Sequence, residues 1–289
     1  MRAAHGLHRR SRRPLDFTGQ VVVITGAARG IGEALARRVA QCGGRVALLD
    51  VHPERLAAVA EECGPRAAWW QVDVTDSAAM ATAATEVAGH FKRIDAVVAN
   101  AGLGGGGTLL LTDPAEYERI IEVNLLGSIR TVRSFLPHLL ETRGYVLQIA
   151  SLAALMPAPF MSSYCASKSG VEAFAHSLHA ELRHTGVEVG VGYLSFTDTD
   201  MVREADSHEG LRQLRAGLPW PFNITSPLQP AVERLLVGLA HRKRHIYAQP
   251  WLRGLPPFRG ALPGLTARFG TARAAAAEQL LKQEANLRP

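Results

Sequence analysis

The chain has 289 residues, of which 47% are hydrophobic and 20% are charged, a composition typical of a folded globular protein. This length is enough for one large domain or two small ones, and no apolar run reaches the ~18 residues that a membrane-spanning helix needs. The formal net charge of +6 is concentrated at the two ends, in residues 1–13 and 241–289. Nucleic-acid binding is therefore not expected, because proteins that bind nucleic acid usually spread Lys and Arg along one face.

From Gln20 onward, short β-branched segments alternate with longer alanine-rich segments that have helical spacing. The pattern predicts strands at residues 21–24, 46–49, 69–72, 94–99, 145–150 and 187–194. It predicts helices at residues 31–41, from Pro53, at 77–90, at 114–140 with a bend near Pro137, and at 162–185. Strands that are apolar on both faces and separated by helices are typical of a parallel sheet covered on both sides.

No linker or internal repeat divides the chain. We therefore predict an α/β fold with a single doubly wound parallel sheet, helices on both faces and a C-terminal extension. The expected organisation is a disordered basic tail over residues 1–16, one domain over residues 17–250, and the extension over residues 251–289. Arg12-Arg13 is similar to a twin-arginine export signal, but no apolar stretch follows this pair.

The cysteines Cys42, Cys63 and Cys165 are scattered and form no Cys-x-x-Cys pair. This usage predicts a reducing compartment, and so a cytoplasmic location, without disulfides. His176 and His179 lie three residues apart on a predicted helix without a convincing third ligand, so we expect no metal site.

A glycine-rich turn, residues 25–32, joins the first strand to the first helix. Glycines at such a turn allow a tight bend, let the backbone approach a pyrophosphate, and let the helix pack closely on the strand. The free N–H groups at the start of the helix then face the anion. This strand–turn–helix context predicts a dinucleotide site, with candidate contacts from Gly26, Arg29, Gly30, Ile31 and Gly32.

Asp50 ends the second strand, where the adenosine ribose of a dinucleotide is expected to lie. A carboxylate there can accept hydrogen bonds from the ribose hydroxyls, and it repels a 2′-phosphate. Arg29 has the opposite effect, because a guanidinium beside the turn can pair with that phosphate. Since Asp50 occupies the ribose end directly, we expect NAD to be favoured over NADP.

Further motifs follow the later strands, including Asn100-Ala101-Gly102 after the fourth and the Tyr-x-x-x-Lys sequence at 164–168. Together with the turn at 25–32, they resemble the short-chain dehydrogenase/reductase family over roughly residues 17–250. The resemblance implies a Rossmann-type sheet and hydride transfer between a nicotinamide cofactor and an alcohol or ketone. It also implies further cofactor contacts from Asp73, Val74, Asn100, Ala101, Gly102, Tyr164, Lys168, Thr197 and Thr199.

The resemblance assigns four catalytic residues: Asn124, Ser151, Tyr164 and Lys168. A free tyrosine has a pKa near ~10, too high for a general base at neutral pH. Lys168 lies on the same helix face as Tyr164, so its ammonium is expected to lower the pKa of the phenol. By resemblance, Ser151 orients the substrate oxygen, and Asn124 joins Lys168 to solvent in a proton relay.

Two segments depart from the family pattern. Leu194 and Ser195 stand where Pro-Gly is usual, which weakens the assignment of Thr197 and Thr199 as contacts of the nicotinamide carboxamide. The second departure is the extension, in which basic residues alternate with Trp, Leu and Phe. It is compatible with packing on a neighbouring subunit or over the pocket, with peripheral membrane contact, or with a solvated tail.

The expected substrate is an apolar alcohol or ketone. A lid over the substrate pocket is expected at 196–227, with apolar side chains from Met201, Leu211, Leu214, Leu218, Trp220, Pro221 and Phe222. The expected wall of the pocket consists of Leu152, Ala153, Leu155, Met156, Pro157 and Phe160. Family members commonly pair through the two long helices, which implies a homodimer or homotetramer. Two alternatives stay open: an NADPH-dependent 3-oxoacyl-type reductase, and a non-catalytic protein that senses dinucleotides.

Overall fold

The computed structural model describes residues 15–207 and 209–267, together with Ala275 and residues 278–280. Within these residues, seven parallel strands form one sheet in the order β3-β2-β1-β4-β5-β6-β7. The strands are β1 (Val21–Thr25), β2 (Arg45–Asp50), β3 (Ala67–Gln71), β4 (Ala96–Ala99), β5 (Tyr145–Ile149), β6 (Glu188–Tyr193) and β7 (His245–Tyr247).

Helices connect the strands and cover both faces of the sheet. They are α1 (Gly30–Gln41), α2 (Pro53–Cys63), α3 (Ser77–Phe91), α4 (Pro114–Ile121), α5 (Gly127–Thr142), α6 (Leu152–Leu155), α7 (Ser162–Leu182), α8 (Asp200–Ser207), α9 (Glu209–Ala216) and α10 (Leu228–Ala240). A π-helical turn, Glu122–Leu126, joins α4 to α5, and short 3₁₀ turns occupy Gly64–Arg66, Pro250–Gly254 and Pro256–Phe258. None of the helices in the described part of the chain is long and apolar enough to cross a membrane.

The core lies in two layers, one on each face of the sheet. Alternate residues of β1 show this: Val21 and Val23 belong to one buried cluster, and Val22 and Ile24 belong to the other. Successive side chains of a strand point to opposite faces, so a strand covered by helices on both sides must be apolar throughout. The predicted doubly wound sheet is therefore confirmed.

The strand order reverses between β1 and β4, because β2 and β3 extend the sheet in one direction and β4 to β7 extend it in the other. The helices that follow β1 and β4 consequently leave the sheet on opposite sides. In such folds a crevice opens at the carboxyl ends of the strands at this point, and ligands bind there. The architecture thus gives the location of the site before any side chain is considered.

Several boundaries differ from the sequence prediction. The helix predicted over 114–140 is interrupted by the π-turn around Asn124 and continues past Pro137 to Thr142. Strand β7 was not predicted, because three residues are too few for an alternation pattern to be visible. The predicted tail falls almost entirely in residues 1–14, and the last part of the predicted extension falls in residues 268–289; both lie mostly outside the described residues.

The first part of the predicted C-terminal extension packs on the chain's own domain. Leu252 is completely buried in the core layer that contains α7, and Trp251 and Leu255 pack against the same layer. Arg259 forms an ion pair with the buried Glu172 of α7 at 2.6 Å and donates a hydrogen bond to the carbonyl of Ala154 at 3.1 Å. These contacts favour the interpretation that this part of the extension completes the domain.

Gly190 of β6 gives a test of this packing. A Cβ at Gly190 would collide with the Tyr145 hydroxyl and the Lys243 carbonyl, which are hydrogen-bonded to each other at 2.7 Å. We expect Gly190→Ala to lower the free energy of unfolding by about 2–3 kcal/mol, because the core is overpacked and this hydrogen bond is displaced. Denaturant unfolding followed by circular dichroism measures the change.

Gly89 provides the matched control. A Cβ at this position in α3 meets nothing within 4 Å. Since alanine has a higher helix propensity than glycine, Gly89→Ala should raise the free energy of unfolding by up to ~1 kcal/mol. Equal effects of the two substitutions would contradict the packing described for β5, β6 and β7.

Candidate active site

A cavity at the carboxyl ends of the strands brings together most of the residues selected from the sequence. The selected residues that line it are Gly26, Arg29, Gly30, Ile31, Asp50, Asp73, Val74, Asn100, Ala101, Gly102, Ser151, Tyr164, Lys168, Thr197 and Thr199. Gly32 and Asn124 are not part of the lining. Gly32 packs against Gly26 of the turn, and Asn124 contacts Ser167, the residue before Lys168.

The glycines of the turn are required either by a positive φ or by a close contact. Gly26 and Gly30 have positive φ angles of 66° and 61°, a region that glycine enters without strain. A Cβ at Gly26 would lie 2.8 Å from Ala101 Cα, and a Cβ at Gly32 would collide with the carbonyl oxygen of Gly26. Helix α1 begins at Gly30 without a side-chain cap, so its first N–H groups are free to face an anion.

Asn100 and Thr25 fasten this turn to β4. The Asn100 side-chain Nδ2 donates to the carbonyls of Thr25 at 2.9 Å and Gly26 at 3.1 Å. In return, the backbone N–H groups of Asn100 and Ala101 donate to Thr25 Oγ1 at 3.1 and 3.2 Å. The Asn-Ala-Gly motif therefore holds the turn in place across the switch point between β1 and β4.

Asp50 stands at the end of β2 with both carboxylate oxygens in use. Oδ2 accepts from the N–H of Ala28 at 3.2 Å, and Oδ1 accepts from the N–H of His52 at 3.2 Å. The His52 ring nitrogen Nδ1 also lies 2.8 Å from Oδ1. These contacts orient the carboxylate beside the glycine turn, and His52 and Arg29 line the same end of the cavity.

Asp73 pairs with Arg119 of α4, a residue that the sequence did not single out. Arg119 Nη2 lies 2.8 Å from Asp73 Oδ2, and Thr75 donates to Asp73 from its backbone and its hydroxyl. Burial by itself would raise the pKa of Asp73. The hydrogen bonds from Thr75 and Arg119 outweigh burial, so the pKa lies below its ordinary value. Asp73 is thus a charged acceptor at the rim of the cavity.

Tyr164, Ser151 and Lys168 converge at the other end of the cavity. Tyr164 and Lys168 lie one turn apart on α7, and Lys168 Nζ is 5.8 Å from the centre of the Tyr164 ring. The Tyr164 hydroxyl hydrogen-bonds with Ser151, which follows β5 and whose Oγ also accepts from the N–H of Ala153 at 3.2 Å. Lys168 Nζ donates to the carbonyl of Ile149 at 3.0 Å, which joins α7 to the end of β5.

Burial controls the protonation of this pair. It raises the pKa of Tyr164, and the hydrogen bond with Ser151 offsets only part of the increase. Burial also lowers the pKa of Lys168 from 10.5 to about 8. The lowered Tyr164 pKa that the sequence predicts is therefore not seen in this geometry, because burial dominates and the Lys168 ammonium is directed at the Ile149 carbonyl.

Asn124 lies in the π-turn and is almost completely buried. Its Oδ1 accepts from the N–H of Leu103 at 2.7 Å, and its Nδ2 donates to the Leu103 carbonyl at 3.0 Å and to Ser167 Oγ at 3.1 Å. A Cβ on Gly102 would lie 3.1 Å from Asn124 Oδ1 and 3.5 Å from Lys168 Nζ. Asn124 thus ties the loop after β4 to α7, one residue away from Lys168.

The structure shows how Leu194 and Ser195 are accommodated where the family pattern has Pro-Gly. Ser195 does not have a positive φ, so the backbone does not require the glycine that the family pattern has there. Its N–H donates to Gln249 Oε1 at 2.9 Å, and Gln249 Nε2 donates to Thr197 Oγ1 at 3.1 Å. Thr197 Oγ1 in turn donates to the Ser195 carbonyl at 2.9 Å, and Thr199 Oγ1 donates to the Thr197 carbonyl at 3.2 Å.

The expected substrate wall is partly wrong. Leu152 and Leu155 are buried in the core layer beneath the site because α6 turns them inward. Met201 does line the cavity, whereas the side chain of Trp220 is 77% exposed and Phe222 packs against Trp251 with ring centres 5.2 Å apart.

A run of four glycines, Gly104–Gly107, was missed on the substrate side. A Cβ on Gly104 would lie 2.7 Å from Met201 Cγ, and one on Gly106 would lie 3.1 Å from Leu211 Cδ1. The run therefore lets the backbone after β4 approach the lid closely. The visible signal was the run itself, four glycines that follow the Asn-Ala-Gly motif after one intervening residue, Leu103.

No group of three or more His, Cys, Asp and Glu side chains that could hold a metal ion occurs in the described residues. His176 packs edge-on against His245, with ring centres 5.5 Å apart, and lies 3.8 Å from Glu172. His179 lies one turn further along α7.

Comparison with known proteins agrees with this geometry. Residues 20–210 match the short chain dehydrogenase family. The dehydrogenase/reductase SDR family member 7B of Bos taurus is 30% identical over 267 residues, which cover 88% of this chain and 81% of that protein. The chain belongs to the short-chain dehydrogenase/reductase family and is an oxidoreductase.

Two solved structures are similar over much of the chain. A short-chain dehydrogenase/reductase from Burkholderia phymatum in complex with NAD is 26% identical with a TM-score of 0.71, covering 83% of this chain and 92% of that one. A metagenomic short-chain oxidoreductase in complex with NADP is 38% identical with a TM-score of 0.59, covering 61% and 82%.

The buried ammonium of Lys168 should make the folded protein less stable at neutral pH. Below pH 8 the folded chain holds this charge in a place that disfavours it, whereas the unfolded chain holds it in water. We expect Lys168→Met to raise the free energy of unfolding at pH 7 by about 2 kcal/mol, net of the lost hydrogen bond to Ile149. Denaturant unfolding at pH 7 and at pH 9.5 tests this.

The increase in the free energy of unfolding caused by Lys168→Met should shrink as the pH rises from about 8 toward 10.5. In that range the folded wild-type chain has already released the proton while the unfolded chain still holds it, so wild-type stability increases with pH at this group. Lys243→Met, at an exposed lysine, should change stability by no more than ~0.5 kcal/mol at either pH. A pH-independent gain for Lys168→Met would contradict a buried ammonium.

Proposed function

We propose that this protein is an NAD-dependent oxidoreductase that interconverts a secondary alcohol and a ketone on an apolar small molecule. One observation carries the proposal: Tyr164, Ser151 and Lys168 meet in the same cavity as the glycine turn. The turn provides a cradle for a dinucleotide, and the three side chains provide a proton donor or acceptor, an orienting hydroxyl and a cation. Neither half would be sufficient to indicate this reaction.

The residues present fit a nicotinamide dinucleotide. Gly26 and Gly32 leave no room for a side chain, Gly30 has a positive φ that favours glycine, and the first N–H groups of α1 suit a pyrophosphate. At the opposite end, Ser195 Oγ is a buried hydroxyl without a partner in the described residues, which suits a ligand with hydrogen-bonding atoms. The family members that resemble this chain were solved with NAD and with NADP.

The residues that would hold this cofactor follow the length of the cavity. Gly26, Arg29, Gly30, Ile31 and Gly32 serve the pyrophosphate, Asp50 the adenosine ribose, and Asp73 with Val74 the adenine. Asn100, Ala101 and Gly102 line the middle. The remaining contacts are assigned to Tyr164, Lys168, Thr197 and Thr199.

When bound, the nicotinamide ring supplies the hydride acceptor or donor, and the protein supplies placement and proton transfer. Ser151 hydrogen-bonds with the substrate oxygen and presents it to Tyr164. During oxidation the Tyr164 Oη takes the proton of the alcohol, and during reduction it returns a proton to the oxygen. Lys168 stabilises the phenolate that the oxidative direction requires, and Asn124 takes part in the proton relay that joins Lys168 to solvent.

NAD is favoured over NADP by the position of Asp50. Its carboxylate is fixed by Ala28 and His52 at the end of β2, where a 2′-phosphate would meet a negative charge. Arg29 lines the cavity nearby and acts in the opposite direction. Because hydrogen bonds from Ala28 and His52 hold the Asp50 carboxylate in place, we expect its repulsion of a 2′-phosphate to outweigh the attraction of Arg29.

An apolar substrate is supported by the lining beside Tyr164. Leu103, Val123, Met201 and Val202 contribute apolar side chains to the cavity. The 3-oxoacyl-type reductase ranks lower, because it would use NADPH, and the non-catalytic sensor ranks lower, because Tyr164 and Lys168 are both present. Pairing through α5 and α7, the cytoplasmic location, membrane contact by the extension and the boundary at residue 250 stay predictions.

Replacing Tyr164 with phenylalanine tests the proton-transfer role. Tyr164→Phe should lower kcat by about 10²–10⁴-fold, because general acid–base catalysis is lost, and should leave the affinity for NADH largely unchanged. The measurement is NADH absorbance during oxidation of a panel of apolar secondary alcohols, with NADH binding followed by fluorescence.

Tyr117→Phe is the matched control. Tyr117 hydrogen-bonds with Ser162 at 3.1 Å and is not part of the cavity lining, so its removal should leave turnover unchanged. Full activity of Tyr164→Phe would overturn the assignment. Wild-type protein that binds NADH but turns over no member of a broad panel would favour the sensor.

Replacing Asp50 with asparagine tests cofactor preference. Asp50→Asn should raise the ratio of kcat/KM with NADP to kcat/KM with NAD by about tenfold, because the repulsion of the 2′-phosphate disappears. Glu54→Gln removes an exposed carboxylate four residues away, in the first turn of α2, and should leave the ratio unchanged. An unchanged ratio in Asp50→Asn would contradict the role of Asp50 at the ribose.

A further inference from the structure

A buried glutamine from the C-terminal part of the chain reaches into the segment between β6 and the lid. Gln249 follows β7 and has only 4% of its surface exposed. Its Oε1 accepts from the Ser195 N–H at 2.9 Å and its Nε2 donates to Thr197 Oγ1 at 3.1 Å. One side chain thus satisfies two buried groups of the segment that carries the expected nicotinamide contacts.

An amide is the group that this position needs. The Ser195 N–H requires an acceptor, whereas Thr197 Oγ1 already donates to the Ser195 carbonyl and so requires a donor. Glutamine offers both at one side-chain end; glutamate offers only acceptors, and methionine of similar length offers neither with comparable strength. The contact is therefore specific for the residue type and is not a product of packing alone.

The segment is also fixed from the opposite side, but only by backbone contacts. Thr197 forms an isolated parallel bridge with Ser226 at the end of the lid, through the N–H of Asp198 and the N–H of Ser226. Gln249 supplies side-chain hydrogen bonds to Ser195 and Thr197 from outside the segment. Its own position is anchored by Ala248, whose N–H donates to the Tyr193 carbonyl at 2.9 Å.

This segment faces the reactive end of the cavity. Ser195, Thr197 and Thr199 line the same cavity as Tyr164 and Lys168, while Asp50 lines it at the end of β2, where the adenosine ribose is expected. A shift of the 195–197 backbone would therefore alter the nicotinamide end and leave the adenosine end in place.

We propose that Gln249 is a positioning residue: it holds Ser195 and Thr197 at the nicotinamide end of the cavity and so determines how tightly that half of the cofactor is bound. The inference rests on the proposed dinucleotide-dependent function. It also explains how the chain can have Leu194-Ser195 in place of Pro-Gly. The backbone constraint that a proline would provide is here supplied by the side chain of Gln249.

Comparing two ligands tests the proposal on the full-length chain. NADH carries the nicotinamide ring, whereas ADP-ribose has the rest of the molecule without it. Gln249→Met should raise the Kd for NADH by about tenfold, the effect expected when a buried hydrogen bond to a fixed segment is lost, and should leave the Kd for ADP-ribose unchanged. Calorimetric titration measures both constants.

Gln148→Met is the matched control, because it makes the same chemical change at a fully buried glutamine. Gln148 hydrogen-bonds with Ser128 and is not part of the cavity lining, so both dissociation constants should stay at the wild-type values. If Gln249→Met weakens NADH and ADP-ribose equally, Gln249 serves the fold as a whole and the proposal is overturned. It is likewise overturned if neither ligand is weakened.

A second variant keeps the test valid if Gln249→Met does not fold. Thr197→Val leaves Gln249 in place and removes the hydroxyl that accepts from its Nε2 and donates to the Ser195 carbonyl, and it should weaken NADH selectively. Where Gln249→Met folds, the loss in the double variant should be smaller than the sum of the two single losses, because the two residues share one contact. Fully additive losses would contradict the proposal. A wild-type chain that binds neither ligand would instead overturn the proposed function itself, and the inference with it.

Discussion

The buried ammonium of Lys168 is the constraint on which the arrangement of the site depends. A charged group with almost no solvent contact needs a strong acceptor, and it finds one in the Ile149 carbonyl at 3.0 Å. This hydrogen bond ties α7 to the end of β5, and Ser151 is two residues further along the chain. Tyr164 is carried on the same helix. The hydrogen bond that replaces water at the Lys168 ammonium thus also brings the Tyr164 phenol and the Ser151 hydroxyl together.

Polar side chains hold the loops around this centre. Asn100 fastens the glycine turn to β4, Asn124 fastens the loop after β4 to α7, and Gln249 fastens the segment after β6 to the region after β7. Each is an amide, which can donate and accept at the same time, and each satisfies backbone groups that would otherwise be buried without partners. The carboxyl ends of the strands leave many backbone groups that need partners, so one end of the crevice suits a polar ligand. The amide side chains hold the surrounding loops in place so that such a ligand can be oriented.

The fold and most of the site could be predicted from the sequence, for reasons that differ between the two. Strand β1 is buried on both faces and so appears in the sequence as a short continuous apolar run, the pattern typical of a covered parallel sheet. The glycine turn, Asp50 and the Tyr-x-x-x-Lys sequence are local patterns, visible without knowledge of what surrounds them. Leu152 and Leu155 were misassigned because residue type cannot reveal that α6 turns them into the core. The three-residue strand β7 and the π-turn around Asn124 were missed because neither produces a periodicity.

The sequence by itself determined the class of sheet, the position of the phosphate turn and the identity of the residues on α7, since all of these follow from spacing along one strand or one helix. Only the tertiary structure decided which distant groups meet: Arg119 with Asp73, Arg259 with Glu172, and Gln249 with Ser195. It also decided the protonation of the centre, where burial raises the pKa of Tyr164 and lowers that of Lys168 against the expectation from helix spacing. The physical reason is the same in each case, because hydration and long-range contacts depend on the surrounding residues in three dimensions, and local spacing contains no record of them.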